Sequence, residues 1–133
     1  MDVNEYDGKP EKLWERLGLR NIIHAIDNSE DPKIAKKYLG KMPPREFAWL
    51  DADHAAEAIW REYNHYLPYF SAKKMVLGFH DTDLDKRMPA GVDLIVNDLT
   101  KRRADGSGWK HISHVPMRNM RGLDLIYLSN ENY

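Results

Sequence analysis

The 133-residue chain carries 20 Lys and Arg against 21 Asp and Glu, so its formal net charge is −1 at neutral pH. This balance excludes a strong overall attraction to nucleic acid or to an anionic membrane. Apolar residues make up 42% of the chain, which is enough for one hydrophobic core, and the length predicts a single domain. The chain has no cysteine, which excludes disulfides and thiol nucleophiles and favours a cytoplasmic protein.

Residues 1–9 are polar and are expected to be flexible, and residues 10–67 are predicted to form a helical part. The acidic first residues lack the apolar segment of a signal peptide. No apolar run reaches the roughly 20 residues that a membrane span requires. We therefore expect no membrane association.

The helical part divides at residues that start or stop helices. A first helix is expected from Pro10, with a change of phase at Gly18. Asp31 before Pro32 predicts an N-cap and the first residue of a second helix, over 32–39. Apolar residues then recur at helical spacing over 52–67, which predicts a third helix. The short apolar segment at 47–50 is interpreted as a turn or short helix leading into it.

Beyond residue 74 the apolar period changes from 3.6 to 2, which predicts a β part over 74–128. Strands are predicted at 75–79, 92–97, 109–115 and 123–128, with a hairpin connection at 104–108. Their connections are too short for helical crossovers, so the pairing should be antiparallel. The sequence thus predicts an α+β domain, with N-terminal helices packed on one face of a C-terminal, mainly antiparallel four-stranded sheet.

An acidic loop follows the first predicted strand, with carboxylates alternating at Asp81, Asp83 and Asp85. Hard divalent cations prefer several such oxygen ligands. The segment begins like an EF-hand loop but continues with Lys86 and Arg87, where that loop needs a glycine and a carbonyl ligand. The sequence therefore predicts no cofactor and a solvated loop, with a divalent cation at these three carboxylates as the alternative.

Two short histidine motifs lie in the β part, His80-x-Thr82 and His111-x-Ser113. The pair resembles the motifs of two-histidine phosphodiesterases. In that family one histidine is the general base and the other the general acid, while the hydroxyls hold the phosphate. Together with the acidic loop, this resemblance leads to the hypothesis of a small metal- or histidine-dependent phosphodiesterase or hydrolase that uses the 80–85 loop and His111.

Basic and aromatic residues gather near the predicted hairpins, which is typical of a binding surface. They are Arg102, Arg103, Trp109, Lys110, Arg118 and Arg121. The sequence has no Walker A motif, dinucleotide fingerprint or serine-hydrolase elbow. We therefore expect a small non-catalytic binding or regulatory protein, such as a phage or mobile-element inhibitor or accessory protein. A protein partner is expected first, with nucleic acid or a phosphorylated ligand as alternatives. The hydrolase is the competing hypothesis.

Overall fold

The computed structural model describes residues 15–18, 28–51, 55–82, 87–117 and 122–132. These residues form three helices, four strands and one 3₁₀ turn. The helices are α1 (Pro32–Leu39), α2 (Ala56–Tyr66) and α3 (Arg87–Ala104), and the 3₁₀ turn is Leu67–Tyr69. The strands are β1 (Phe47–Leu50), β2 (Lys74–His80), β3 (His111–Met117) and β4 (Leu123–Ser129).

The second and third predicted helices are confirmed as α1 and α2. The Asp31 carboxylate accepts a hydrogen bond from the Lys33 N–H at 2.9 Å, and Pro32 occupies the first turn. The buried face of α2 includes Ile59 and Tyr63. Of the first predicted helix the structure describes residues 15–18, which end in a turn at Gly18 with φ of 69°. The remainder of that prediction lies outside the described residues.

The sheet has the strand order β1-β2-β4-β3. β1 pairs with β2 in parallel, and β4 is antiparallel to both β2 and β3. Helix α2 therefore connects two parallel strands, and α3 connects β2 to β3, which run in the same direction. Both connections move the same way across the sheet, so the right-handed rule for such crossovers places both helices on one face. The predicted fold class is confirmed.

The core lies between the sheet and the helices α2 and α3. Met75, Leu77 and Phe79 alternate along β2 with no exposed surface, and Ile126 and Leu128 do so along β4. Ile59, Tyr63, Val92, Ile95 and Leu99 face them from the two helices. This packing fixes the positions of the strand ends.

The predicted strand at 92–97 is wrong, because these residues lie within helix α3. Val92, Leu94 and Val96 alternate as they would in a strand. Over a longer window, Val92, Ile95 and Leu99 recur at helical spacing and are fully buried, whereas Leu94 is 45% exposed. Six residues rich in β-branched side chains are too few to separate the two periods. The segment at 104–108 consequently ends a helix and is not a hairpin between strands.

The fourth strand comes instead from 47–50, which the sequence analysis interpreted as a turn or short helix. This four-residue strand pairs in parallel with the middle of β2, from Phe47 opposite Val76 to Leu50 opposite Phe79. A strand this short gives no readable alternation. Its pairing depends on β2, about 30 residues later in the chain, so the local sequence alone does not indicate that 47–50 is a strand.

Candidate functional site

The two predicted histidine motifs lie at opposite ends of the sheet. His80 ends β2 opposite Leu123, and His111 begins β3 opposite Ser129. Positions six residues apart on β4 are separated by about 20 Å. Thr82 is fully buried and Ser113 is exposed. The structure therefore does not bring the two histidines together around one phosphate.

Of the predicted basic surface, the structure describes Arg102, Arg103, Trp109 and Lys110, and these four do not gather around an exposed aromatic residue. Trp109 is only 8% exposed and belongs to the core. The Arg102 guanidinium lies 2.7 Å from the Asp98 carboxylate, and this hydrogen bond raises the pKa of Arg102 above its ordinary value. Arg103 and Lys110 are exposed close to the start of β3. Arg118 and Arg121 lie outside the described residues.

The acidic loop contributes Asp81 to a cluster with a histidine. His80 Nδ1 lies 3.2 Å from Asp81 Oδ1 and 3.6 Å from Asp51 Oδ2. One ligand atom from each of these residues lies within 4.8 Å of the other two. Asp51 follows β1 directly, His80 is the last residue of β2, and Asp81 follows it. Because the two strands are parallel, all three residues lie at the carboxyl ends of the strands. Asp83 and Asp85 lie outside the described residues.

A second histidine–carboxylate pair lies on the helix-covered side of the sheet. His114 Nε2 is 2.6 Å from Asp124 Oδ1, and Asp124 has no exposed surface. His114 and Asp124 lie on the adjacent strands β3 and β4. The position of this pair among core residues indicates a structural interaction that keeps a buried carboxylate hydrogen-bonded.

Strand β1 forms an edge of the sheet, and within the described residues the outer side of Phe47–Leu50 is not paired with any strand. Just before the strand, Arg45 forms a parallel bridge with Phe70. The Val76 N–H donates to the Glu46 carbonyl at 2.9 Å, so the even-numbered residues of this segment bond to β2. By the alternation of the ladder, Phe47 and Trp49 direct their N–H and C=O groups outwards. The strand contains no charged residue or proline, the usual devices that protect an edge.

The outer side of β1 borders a cleft of about 440 Å³, which we call the β1 cleft. One wall is β1 itself, with Arg45 before it and Asp51 after it, and Leu39, Glu62 and Tyr66 contribute to the facing wall. This volume is within the range of small-molecule pockets. The cleft therefore combines an apolar strand edge with ionisable groups at both ends.

Two charged side chains of the β1 cleft are withdrawn from solvent. Glu62 is only 2% exposed and accepts a hydrogen bond from the Ser29 hydroxyl. Arg45 has a buried Nη2 atom that makes no hydrogen bond to any described residue. A buried guanidinium nitrogen without a hydrogen-bond acceptor favours binding of a ligand oxygen, because an unpaired buried donor raises the free energy of the folded protein.

The side chains of β1 extend the cleft onto the uncovered face of the sheet. Phe47 and Trp49 are 57% and 45% exposed, and their rings stack with centroids 6.4 Å apart. Trp49 lies over Gly78, where a Cβ atom would be 2.5 Å from the indole ring, and its ring centroid is 6.0 Å from that of His80. Glycine at position 78 is thus required for this placement of Trp49. Val115, Met117 and Tyr127 continue the exposed apolar surface on β3 and β4.

Comparisons with known proteins do not identify a family. No protein-family model matches the chain, and a search of curated proteins found no match. Within the described residues, every helix is too short or too polar to cross a membrane.

Sequence reasoning found His80 and Asp81 but missed Phe47, Trp49 and Asp51. The missed residues belong to or follow β1, the strand that was not recognised. The available signal was an uncharged Phe-Ala-Trp-Leu segment followed by an aspartate, placed before the strongest helical pattern. A short apolar segment, a polar residue and then a helix is the order expected of a strand that enters a crossover.

Proposed function

We propose that this chain is a binding protein that captures an extended segment of a partner protein along β1. The observation that carries the proposal is the uncharged edge of β1, whose Phe47–Leu50 segment pairs with no other strand of the described residues and borders the β1 cleft. An added strand would pair with the outward N–H and C=O groups of Phe47 and Trp49. Main-chain hydrogen bonds would then provide affinity, and the cleft would provide specificity.

The chemistry of the β1 cleft indicates which segment it would accept. Leu39, Leu50 and Tyr66 favour apolar side chains on the side of the peptide that enters the cleft. The buried Nη2 of Arg45 favours a carboxylate at that end, either an acidic side chain or a chain terminus. Exposed aromatic residues such as Phe47 and Trp49 are typical anchors of protein interfaces.

This proposal retains the protein partner and the cytoplasmic location expected from the sequence, and it moves the interface from the basic hairpin residues to β1. An inhibitor or accessory protein would use such an edge to hold its target. The separation of His80 from His111 gives no support to a two-histidine hydrolase, so we do not propose that activity.

The test is selection of random 12-residue peptides on phage against the purified chain, followed by affinity measurement with labelled peptides. We expect peptides with apolar residues at every second position and an acidic residue near one end. Phe47→Pro removes an outward N–H without removing a bond to β2, and should weaken binding about tenfold. Phe47→Ala keeps that N–H and separates the contribution of the ring from that of the backbone.

Amide hydrogen exchange gives the direct readout of strand addition. In the peptide complex, the amides of Phe47 and Trp49 should exchange more slowly, because they become hydrogen-bonded. Equal peptide affinity of the wild type and of Phe47→Pro would refute the proposal. Selection of no peptide would also refute it. A concentration-dependent dimer that is lost in Phe47→Pro would show that the occupant of the edge is a second copy, contrary to the proposal.

A further inference from the structure

The second feature without a structural explanation is the cluster of Asp51, His80 and Asp81, which we call the Asp–His–Asp cluster. Its members come from two strands and lie at the carboxyl ends of a parallel pair. In open sheets with helical crossovers, ligands bind preferentially outside this end of the strands. The cluster combines one imidazole nitrogen with two carboxylate oxygens, a mixed donor set typical of metal sites.

The distances within the cluster agree with a tetrahedral metal ion. Zinc binds nitrogen and oxygen ligands at about 2.0–2.2 Å, so neighbouring ligand atoms of a tetrahedron are about 3.4 Å apart. The distances from His80 Nδ1 to Asp81 Oδ1 and to Asp51 Oδ2 are 3.2 and 3.6 Å, on either side of that value. The three donor atoms lie within 4.8 Å of one another. Only a small movement of one carboxylate is needed to bring the Asp51 and Asp81 oxygens to the same separation from each other.

The surroundings of the cluster suit a bound ion that is reached from solvent. The Asp81 side chain is 10% exposed, whereas those of His80 and Asp51 are 35% and 41% exposed. Asp81 is therefore sheltered from solvent, whereas His80 and Asp51 are accessible to an ion that enters from solvent. The Trp49 ring lies beside His80, with the two ring centroids 6.0 Å apart.

We propose that Asp51, His80 and Asp81 form a three-ligand site for Zn²⁺. The imidazole nitrogen and the short distances between the three ligand atoms favour zinc over calcium. Calcium takes six to eight oxygen ligands at longer metal–oxygen distances. The fourth position faces solvent and would hold water, as in zinc sites with an open coordination position. The proposal does not depend on peptide binding at β1, since the ion is held by side chains of the isolated chain.

Titration calorimetry of the chelator-treated full chain with Zn²⁺ tests the proposal. We expect one ion per chain, with no comparable binding of Ca²⁺ or Mg²⁺. His80→Phe keeps an aromatic ring beside Trp49 and removes the nitrogen, and should weaken zinc binding by about 100-fold or more. Asp51→Asn, at an exposed side chain, provides a second ligand variant that preserves size. The matched control is His111→Phe, at the other end of the sheet, which should bind zinc as the wild type does.

A spectroscopic experiment locates the ion. Binding of paramagnetic Co²⁺ at the cluster should quench the fluorescence of the adjacent Trp49, and Trp49→Phe should abolish most of the quenching. Equal zinc affinity of the wild type, His80→Phe and Asp51→Asn would overturn the proposal. Absence of binding at 1:1 stoichiometry would also overturn it, as would equal weakening by His111→Phe. Retained binding in both ligand variants would mean that zinc binds elsewhere on the chain.

Discussion

Replacing Gly91 with alanine tests the close contact between α2 and α3. Gly91 lies in the interior of α3, where a glycine lowers helix stability. A Cβ atom at this position would be 2.9 Å from Ile59 Cδ1, 3.1 Å from Ile59 Cβ and 3.2 Å from Ala56 Cα. The first of these atoms ends a flexible side chain and is able to move. The other two are fixed by the backbone of α2, so the helices themselves must separate.

Two effects of opposite sign determine the result. Alanine in place of glycine within a helix stabilises by about 1 kcal/mol. Forcing an additional methyl group into a packed interior costs about 1–3 kcal/mol. Because Ile59 is 1% exposed and two of the three contacts are to unyielding atoms, we expect the steric cost to be the larger. Gly91→Ala should lower the free energy of unfolding by about 1 kcal/mol, equivalent to a Tm lower by about 4 °C.

Urea denaturation followed by circular dichroism measures this change. Ala90→Gly, at the exposed neighbouring position of α3, calibrates the helix-propensity effect alone. Ile59→Val removes the nearest methyl group, so combining it with Gly91→Ala should recover part of the loss, with a coupling energy of about 0.5–1 kcal/mol. A Gly91→Ala protein more stable than the wild type, by about the amount that Ala90→Gly loses, would refute the reasoning.

Two further predictions concern buried polar pairs. The Tyr63 hydroxyl donates to Asp98 at 3.3 Å, so Tyr63→Phe should lower the free energy of unfolding by about 0.5–1 kcal/mol in urea denaturation at pH 8. Burial and the nearby Asp98 raise the pKa of Tyr63 above its usual 10.0. The wild type should therefore lose stability as the pH rises through and above 10 more steeply than Tyr63→Phe, and equal alkaline slopes would contradict this. His114→Ala should cost about 2 kcal/mol, because the fully buried Asp124 carboxylate loses a contact of 2.6 Å. A loss below 0.5 kcal/mol in chemical denaturation would show that Asp124 is sufficiently hydrogen-bonded without His114.

The parts of the fold that were predictable are those with local signals. Asp31 and Pro32 define the start of α1 by their own chemistry, and α2 has a long apolar stripe. Strands β2, β3 and β4 were each placed to within two residues, because each is a short segment with apolar residues bounded by turn residues. Helix α3 was mistaken for a strand, since the six-residue window at 92–97 fits both periods. Leu99, just beyond that window, decides between them.

The candidate sites were less predictable, because they depend on β1. Phe47 and Trp49 lie on this strand, and Asp51 reaches His80 only through its parallel pairing with β2. The sequence pattern identified the alternating carboxylates but grouped Asp81 with its neighbours in the chain. The structure groups it with a residue 30 positions earlier. Contacts of this kind arise from strand order, which no local pattern specifies.

The central position of β4 has a consequence for how the chain folds. β4 is the last strand in sequence, yet it lies between β2 and β3, and within the described residues β3 has no other ladder partner. Its pairing with β2 joins residues between 43 and 55 positions apart, from His80 with Leu123 to Lys74 with Ser129. The entropy of closing such long loops is lost before any of these hydrogen bonds is gained. Insertion of β4 should therefore be the late step that limits the folding rate, so that the chain folds more slowly than a helical bundle of the same length.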